Sequence, residues 1–340
     1  MPTSTVLEAL NAALKRAFDD DERVYMLGED ILDPYGGAFK VARDLSSAYT
    51  ERVLTTPISE AGITGVAAGM AMRGLRPVVE IMFGDFITLI ADQLVNHIAK
   101  FHWMYNEQVR VPMVIRTPMG GRRGYGPTHS QTLEKLYLGV PGIRVFAVCA
   151  YGDPGELLYK SIIESQDPVL FIENKLLYLS KIHSELDLSD FEIETLGGNI
   201  SWHEVTPAYR LRIRQSPEPV ATLVAYGHMA ELAREAILQL AYQHEIFVEL
   251  IIPTQLAPFD LEPVLTSLRS TQRLVVAEEG TRSMGWGAEL IAQASQALGA
   301  QLNAVRRVTA LDLPVPASGP LESAMLPDVE DIIQSTMEIV

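Results

Sequence analysis

Residues 56–72 read TPISEAGITGVAAGMAM, which is the pattern of a helix that begins directly after a turn. Pro57 fixes the backbone of the turn, Ser59 is placed to cap the helix, and Glu60 falls in the first helical turn, where a carboxylate complements the helix dipole. Three glycines leave one face of this helix almost bare: Gly62, Gly65 and Gly69. Because each glycine inside a helix costs ~1 kcal/mol relative to alanine, this face needs a packing or functional reason. Glu60 is therefore either a helix-capping residue or a functional acid.

Short apolar strand patterns lie on both sides of that helix and continue along the chain. They cover residues 24–27, 77–82, 112–115, 143–148, 169–173, 221–226, 247–252, 273–278 and 303–308. Helix patterns lie between them, and the first of these opens with a capping box at Thr5 and Glu8. Strands that alternate with helices at this spacing predict mainly parallel sheets that are covered on both faces.

The length of 340 residues suggests about two domains. Periodicity fails between about residues 181 and 220, where the sequence is acidic and then rich in proline. We therefore predict an α/β fold with two doubly wound domains at residues 1–183 and 220–340. A connector at 184–219 is predicted to join them.

Charge and composition exclude several classes of function. The chain has 27 Lys and Arg against 43 Asp and Glu, a net charge of −16, whereas binding to a nucleic-acid backbone needs clustered basic residues. Its apolar runs fall far short of the ~20 residues that span a bilayer, so no membrane association is expected. Cys149 is the only cysteine, and the opening residues lack the apolar core of a signal peptide. These features predict a cytoplasmic protein.

Doubly wound sheets bind ligands at the carboxyl ends of their strands, so the residues that follow each strand pattern are candidates. One candidate is the glycine-rich loop at residues 119–130, MGGRRGYGPTHS. This loop brings the imidazole of His129 and the guanidinium groups of Arg122 and Arg123 to one sheet edge. The arginines suit an acidic substrate and the solvated surface equally well, and His129 can also cap the helix pattern that starts near Ser130.

Residues 86–98 have an amphipathic helix pattern for which Asp85 is the predicted N-cap. On this pattern alone Phe86 is a core residue, as is Cys149 at the end of another strand pattern. The seven histidines do not have the spacing of zinc ligands, so no zinc site is predicted.

Eight short motifs occur in order along nearly the whole chain. They are GED at 28–30, GGAFK at 36–40, TPISE at 56–60, DQxxN at 92–96, GPxHSQ at 126–131, VAYG at 224–227, AEEG at 277–280 and PLE at 320–322. Together they resemble the beta subunit of the thiamine-diphosphate-dependent first component of 2-oxoacid dehydrogenase complexes, which belongs to the transketolase-like superfamily. The resemblance implies a pyrimidine-binding α/β domain followed by a transketolase C-terminal-like domain.

The resemblance also implies roles for single residues. Glu60 is expected to hydrogen-bond N1′ of the cofactor's aminopyrimidine and to favour the imino tautomer, whose nitrogen can remove a proton from the thiazolium ring. Phe86 matches an aromatic residue that stacks on the aminopyrimidine, which replaces its interpretation as core. His129 matches a histidine near the reacting carbon that assists acyl transfer to lipoamide, and Glu29 matches a carboxylate linked to proton movement between paired sites. The implied cofactor-binding positions are Glu29, Ile58, Glu60, Met82 and Phe86.

Further expectations concern partners and ions. The family implies an alpha subunit in a two-alpha, two-beta heterotetramer, and that subunit holds the cofactor's diphosphate and Mg²⁺. The chain lacks the Gly-Asp-Gly motif for this task and so resembles half of an active site. A potassium ion is expected at backbone carbonyls, at the positions Met113, Ile162, Ser165 and Asp167. The other expected partners are a lipoyl-bearing acyltransferase and a 2-oxoacid substrate.

The leading hypothesis is a beta subunit that takes part in decarboxylating a pyruvate-like or branched-chain 2-oxoacid and in passing the acyl group to a lipoyl carrier. One alternative is a split transketolase-like or acyloin-type carboligase subunit, which shares the cofactor but transfers to an aldehyde. The other is a non-catalytic assembly subunit. Departures from the family pattern at Gly139 and residues 252–256 favour the assembly subunit, whereas the intact Glu60 opposes it.

Overall fold

A computed structural model describes residues 4–184, 186–197 and 206–340 of the chain. The chain forms two compact units. The first comprises Met1–Met119 and Leu136–Ile182, and the second comprises Gly120–Lys135 and His183–Val340. The loop that carries His129 thus belongs to the second unit.

The first unit is built on parallel strands. Its elements are α1 (Val6–Asp20), β1 (Val24–Gly28), α2 (Leu45–Ala48), β2 (Val53–Thr55), α3 (Glu60–Met72), β3 (Arg76–Glu80), α4 (Ala99–Met104), β4 (Val114–Met119), β5 (Arg144–Ala147), α5 (Pro154–Ile163) and β6 (Val169–Asn174). The strands pair in the order β5-β6-β4-β3-β1-β2. Because Gly28 at the end of β1 is in register with Glu80 at the end of β3, the residues after both strands share one edge.

The predicted capping box begins α1. The hydroxyl of Thr5 accepts a hydrogen bond from the backbone N–H of Glu8 at 3.3 Å, and the Glu8 carboxylate accepts one from the N–H of Thr5 at 2.8 Å. The helix then buries Leu10, Leu14 and Phe18, which recur at helical spacing. This local prediction is confirmed.

The helix predicted over residues 86–98 is not one α-helix. Gly84–Ile90 is a 3-10 helix, and Gln93–Ile98 is a π-helix that leads into α4. Asp85 lies inside the 3-10 helix and is not its N-cap, which is Phe83. The narrower and wider turns change the spacing of side chains, so Leu89 is exposed although it shares an α-helical face with buried residues.

The second unit contains a mixed sheet. Its elements are β7 (Phe191–Leu196), β8 (Ala208–Ile213), β9 (Ala221–Ala225), α6 (Met229–His244), β10 (Val248–Pro253), β11 (Gln255–Ala257), α7 (Glu262–Thr271), β12 (Arg273–Thr281), α8 (Trp286–Leu298), β13 (Ala304–Ala310), α9 (Gly319–Met325) and α10 (Val329–Met337). The strand order is β13-β12-β9-β10-β8-β7, with β8 antiparallel to both of its neighbours and the other pairs parallel.

Strands β7 and β8 lie inside the stretch that the sequence predicts to be a connector. Glu192 is opposite Arg212 and Glu194 is opposite Arg210, so cross-strand ion pairs line one face of this hairpin. Alternating charged residues at a sheet edge lack the apolar run by which the other strands were identified. Residues 198–205 of the predicted connector lie outside the described residues.

No helix within the described ranges is both long enough and apolar enough to cross a lipid bilayer.

Candidate functional site

Two buried carboxylates lie together at the carboxyl edge of the first unit's sheet. Glu29 directly follows β1 and is 7% exposed, and Glu60 is the first residue of α3 and is 6% exposed. Burial raises the pKa of the Glu29 carboxyl above its usual value, and the charge of Glu60 adds to this shift, while a hydrogen bond from the backbone of Ser59 opposes it. The Oε1 atom of Glu29 is buried and has no hydrogen-bond partner among the residues that the structure describes. Paired carboxylates with such an unsatisfied oxygen can accept a ligand's donor or hold a proton.

The helix that carries Glu60 keeps the bare face that the sequence predicts. A Cβ atom built on Gly65 or Gly69 meets no atom of the described chain within 4 Å. On the same helix Val66 is 59% exposed, and Ile58, two residues before its start, is 84% exposed. Ser59 is the N-cap residue, but its side chain makes no capping hydrogen bond. The small face is therefore not explained by packing within the first unit.

Aromatic side chains lie after β3, on the same sheet edge. Phe86 is half-buried in the 3-10 helix, and its ring meets that of Phe83 edge-on, with 5.9 Å between centroids. Met82 is also half-buried in the turn between β3 and this helix. Phe86 is therefore not the fully buried core residue that its helix pattern alone predicts.

A buried ion cluster that no sequence pattern predicted lies across three neighbouring strands. Arg116 on β4 is 1% exposed and forms ion pairs with Glu80 on β3 and Glu173 on β6. The hydroxyl of Tyr178 donates to Glu173 at 2.6 Å. Burial raises the pKa of Glu80, although the charge of Arg116 opposes the shift. The available signal was the presence of Glu80, Arg116 and Glu173 in mainly apolar strands, where a buried charge needs a partner of opposite sign.

His129 lies in the second unit, on the glycine-rich loop. Its backbone N–H donates to the carbonyl of Gly126 at 3.3 Å, and its ring Nδ1 lies 3.0 Å from the hydroxyl of Thr128. Arg122 turns back onto its own unit, where its guanidinium donates to the carbonyl of Pro327, whereas Arg123 is exposed. The two arginines therefore have different surroundings.

The four backbone carbonyls predicted to hold potassium already accept hydrogen bonds. Those of Ile162 and Ser165 both accept from the guanidinium of Arg76, at 2.9 and 3.0 Å. The carbonyl of Met113 accepts the N–H of Val169 at 2.9 Å, and that of Asp167 accepts the Ser165 hydroxyl at 2.8 Å. A second cation beside Arg76 would meet its positive charge, so these residues do not fit a potassium ion well.

Within the described part of the chain, no three His, Cys, Asp or Glu side chains are grouped so that they could hold a metal ion.

Two family profiles match the chain. The transketolase pyrimidine-binding domain matches residues 3–180, and the transketolase C-terminal domain matches residues 211–332. A solved chain described as a split-gene transketolase in an inactive beta4 tetramer aligns with a TM-score of 0.72 at 21% identity, covering 99% of this chain and 98% of that chain. The predicted α/β fold class is confirmed by these matches.

Curated relatives align with almost the whole chain. The mitochondrial pyruvate dehydrogenase E1 component subunit beta-1 of Arabidopsis thaliana is 36% identical, with 98% of this chain and 88% of the relative covered. The corresponding protein of Oryza sativa subsp. japonica is 35% identical, with 97% and 85% covered. The E1 subunit beta of Saccharomyces cerevisiae is 33% identical, with 99% and 89% covered.

All three relatives are named as mitochondrial proteins. The prediction of a cytoplasmic location is therefore wrong. It relied on the absence of a disulfide framework and of a signal peptide, and neither feature distinguishes the cytoplasm from an organelle matrix.

Proposed function

Because the chain belongs to the family of beta subunits of thiamine-diphosphate-dependent 2-oxoacid dehydrogenases, we propose that pyruvate is the 2-oxoacid on which its enzyme acts. The names of the curated relatives support pyruvate over a branched-chain substrate. The observation that carries the proposal at the level of the site is the buried pair of Glu29 and Glu60 at one sheet edge.

Thiamine diphosphate, when bound, supplies an electron sink for the electrons released as CO₂ leaves the 2-oxoacid. The proposed task of Glu60 is to hydrogen-bond N1′ of the aminopyrimidine. Its burial at the start of α3 supports this role, because a carboxyl group that is shielded from water exchanges a proton with one fixed partner. Glu29, with its unsatisfied buried oxygen, is proposed to hold a proton close to Glu60.

Phe86 is proposed to stack on the aminopyrimidine, and Ile58 and Met82 to line the same ring. The half-buried ring of Phe86 and the exposed side chain of Ile58 leave apolar surface for such a contact. His129 is proposed to assist acyl transfer to the lipoyl group.

The proposal includes a partner that completes the site. An alpha subunit, in a two-alpha, two-beta heterotetramer, would hold the diphosphate and Mg²⁺, because the chain's own sequence has no Gly-Asp-Gly motif for this task. The open glycine face of α3 supports close approach by another chain or a flat ligand. A lipoyl-bearing acyltransferase would accept the acyl group.

The test compares Glu60→Gln with Glu51→Gln, which makes the same change of charge at an exposed site. Each variant is assembled with the alpha subunit, and release of CO₂ from carboxyl-labelled pyruvate is measured. Loss of a proton-transfer group predicts a rate lower by about 10²-fold or more for Glu60→Gln, and no change for Glu51→Gln. Decarboxylation by Glu60→Gln at the wild-type rate would refute the role of Glu60.

Substrate and acceptor are tested on the wild-type assembly. The proposal predicts a higher kcat/KM for pyruvate than for 3-methyl-2-oxobutanoate, and acyl transfer to a lipoyl domain. Turnover that requires an aldehyde acceptor and proceeds without any lipoyl group would instead indicate a carboligase.

A further inference from the structure

Two buried carboxylates of the second unit bind the backbone of the loop that carries His129. Glu279 lies on β12 and Glu322 on α9, and they are only 6% and 4% exposed. Glu279 accepts a hydrogen bond from the N–H of Gly121 at 2.6 Å. Glu322 accepts from the N–H of Arg122 at 2.8 Å with one oxygen, and from the N–H of Gly124 at 3.1 Å with the other.

The loop backbone has the conformation that makes this binding possible. Several of its residues have positive φ: Gly120 at +96°, Arg122 at +64°, Gly124 at +70° and Gly126 at +75°. Left-handed residues among right-handed ones turn successive N–H groups toward one side, which forms a concave site for an anion. In this protein the chain's own carboxylates fill that site.

Gly121 lies between the two carboxylates. A Cβ atom at this position would be 3.2 Å from the nearer Glu322 oxygen and 3.7 Å from that of Glu279. Arg122 is a non-glycine residue in a left-handed conformation, which persists only where its surroundings hold it. Those surroundings are the bond from its N–H to Glu322 and the bond from its guanidinium to Pro327.

His129 is connected to this anchored backbone by a short path. Its N–H bonds to the carbonyl of Gly126, two residues beyond the last N–H that Glu322 holds. The two carboxylates therefore hold, through the loop backbone, the chain segment that carries the imidazole.

We propose that Glu322, assisted by Glu279, is a positioning residue that holds the loop of residues 120–126 and thereby the imidazole of His129. This inference rests on the proposed function of His129 in acyl transfer. Neither carboxylate is assigned contact with substrate or cofactor.

The variant Glu322→Gln tests the hydrogen bonds of Glu322 to the loop without changing the size of the side chain. A carboxylate can accept from both N–H groups, whereas an amide has one acceptor oxygen and turns an NH₂ group toward the second N–H. Glu322→Asp keeps both acceptor oxygens on a shorter side chain, so it is expected to retain part of the loop's protection from exchange. Glu245→Gln, an exposed substitution in the same unit, is the matched control.

The first readout is amide hydrogen exchange in the assembled protein, which does not depend on activity. Glu322→Gln is expected to raise exchange at Arg122 and Gly124, whose N–H groups Glu322 accepts, by about tenfold or more, which corresponds to about 1.4 kcal/mol. Exchange in the central strands β9 and β10 should not change. Unaltered exchange in the loop, or an equal rise in β9 and β10, would overturn the proposal.

The second readout separates the two half-reactions. Decarboxylation measured with an artificial electron acceptor should stay within about twofold of wild type, while acyl transfer to a lipoyl domain falls by about tenfold or more, a fall of the size expected when a general acid–base group is misplaced. An equal fall in both steps would contradict positioning of His129 and indicate a general structural role.

Two further outcomes are decisive. If Glu322→Gln does not fold, Glu279→Leu removes the acceptor of the Gly121 N–H, which glutamine would keep, and should raise exchange at that amide. No rise there would overturn the anchoring. If exchange responds as expected but the wild-type assembly does not turn over 2-oxoacids, the proposed function fails while the anchoring stands.

Discussion

Replacement of Glu134 by glutamine is expected to change how stability depends on pH. Glu134 is 2% exposed, and its Oε1 accepts a hydrogen bond from the hydroxyl of Tyr226 at 2.6 Å. Its Oε2 is buried and finds no hydrogen-bond partner in the part of the chain that the structure describes. Burial raises the pKa of Glu134 to about 7, the bond from Tyr226 lowers it, and the charges of Glu278 and Glu279 raise it.

The sign of the effect follows from the raised pKa. The folded protein holds the proton on Glu134 more tightly than the unfolded chain, for which the pKa is 4.5. The resulting stabilisation is fully present below pH 4.5 and is lost as the pH rises through about 7. A shift of this size corresponds to about 3 kcal/mol, of which about 2–3 kcal/mol is lost between pH 5 and pH 8.

The assay is urea-induced unfolding, followed by circular dichroism at several values between pH 5 and pH 8. Glutamine stays neutral and keeps an acceptor oxygen for Tyr226. The difference in unfolding free energy between Glu134→Gln and wild type should therefore shift in favour of the variant by about 2–3 kcal/mol from pH 5 to pH 8. The exposed variant Glu245→Gln should show no such gain. A constant difference between Glu134→Gln and wild type at every pH would refute the reasoning.

Two further substitutions test the packing of the first unit. Gly142→Ala places a Cβ atom 2.0 Å from the carbonyl oxygen of Ala99, on a backbone with φ of +94°, so the melting temperature of this variant should fall. Gly139→Ala is the control, because a Cβ atom there meets no atom within 4 Å. Equal melting temperatures for the two variants would contradict this reasoning. Arg116→Met leaves its two partner carboxylates buried without a counter-charge and should lower the unfolding free energy by about 3–5 kcal/mol in urea titrations; an unchanged value would show that water reaches the cluster.

Features set by neighbouring residues could be predicted from the sequence. The capping box of Thr5 and Glu8 needs only four consecutive residues, and the buried strands needed only short apolar runs. The π-helix at Gln93–Ile98 and the hairpin of β7 and β8 could not be predicted in this way, because their side-chain patterns depend on neighbours in the folded chain.

The site was predictable to a similar extent. The sequence predicted that Glu29 follows a strand and that Glu60 lies in the first turn of a helix. Their proximity depends on the pairing of β1 with β2, which no local pattern indicates. The bonds of Glu279 and Glu322 to the glycine-rich loop join residues 158 and 200 positions apart, and no local pattern indicates them. The roles of Phe86 and His129 in binding and transfer stay predictions.

We propose above all that this chain supplies only the pyrimidine half of a thiamine diphosphate site. The most direct measurement is a calorimetric titration of thiamine diphosphate with Mg²⁺ into the chain alone, into the alpha subunit alone and into the mixture of the two. The account predicts tight binding in the mixture alone, and weakened binding there when the chain carries Glu60→Gln. Tight binding by the chain alone, or binding in the mixture that Glu60→Gln leaves unchanged, would contradict it.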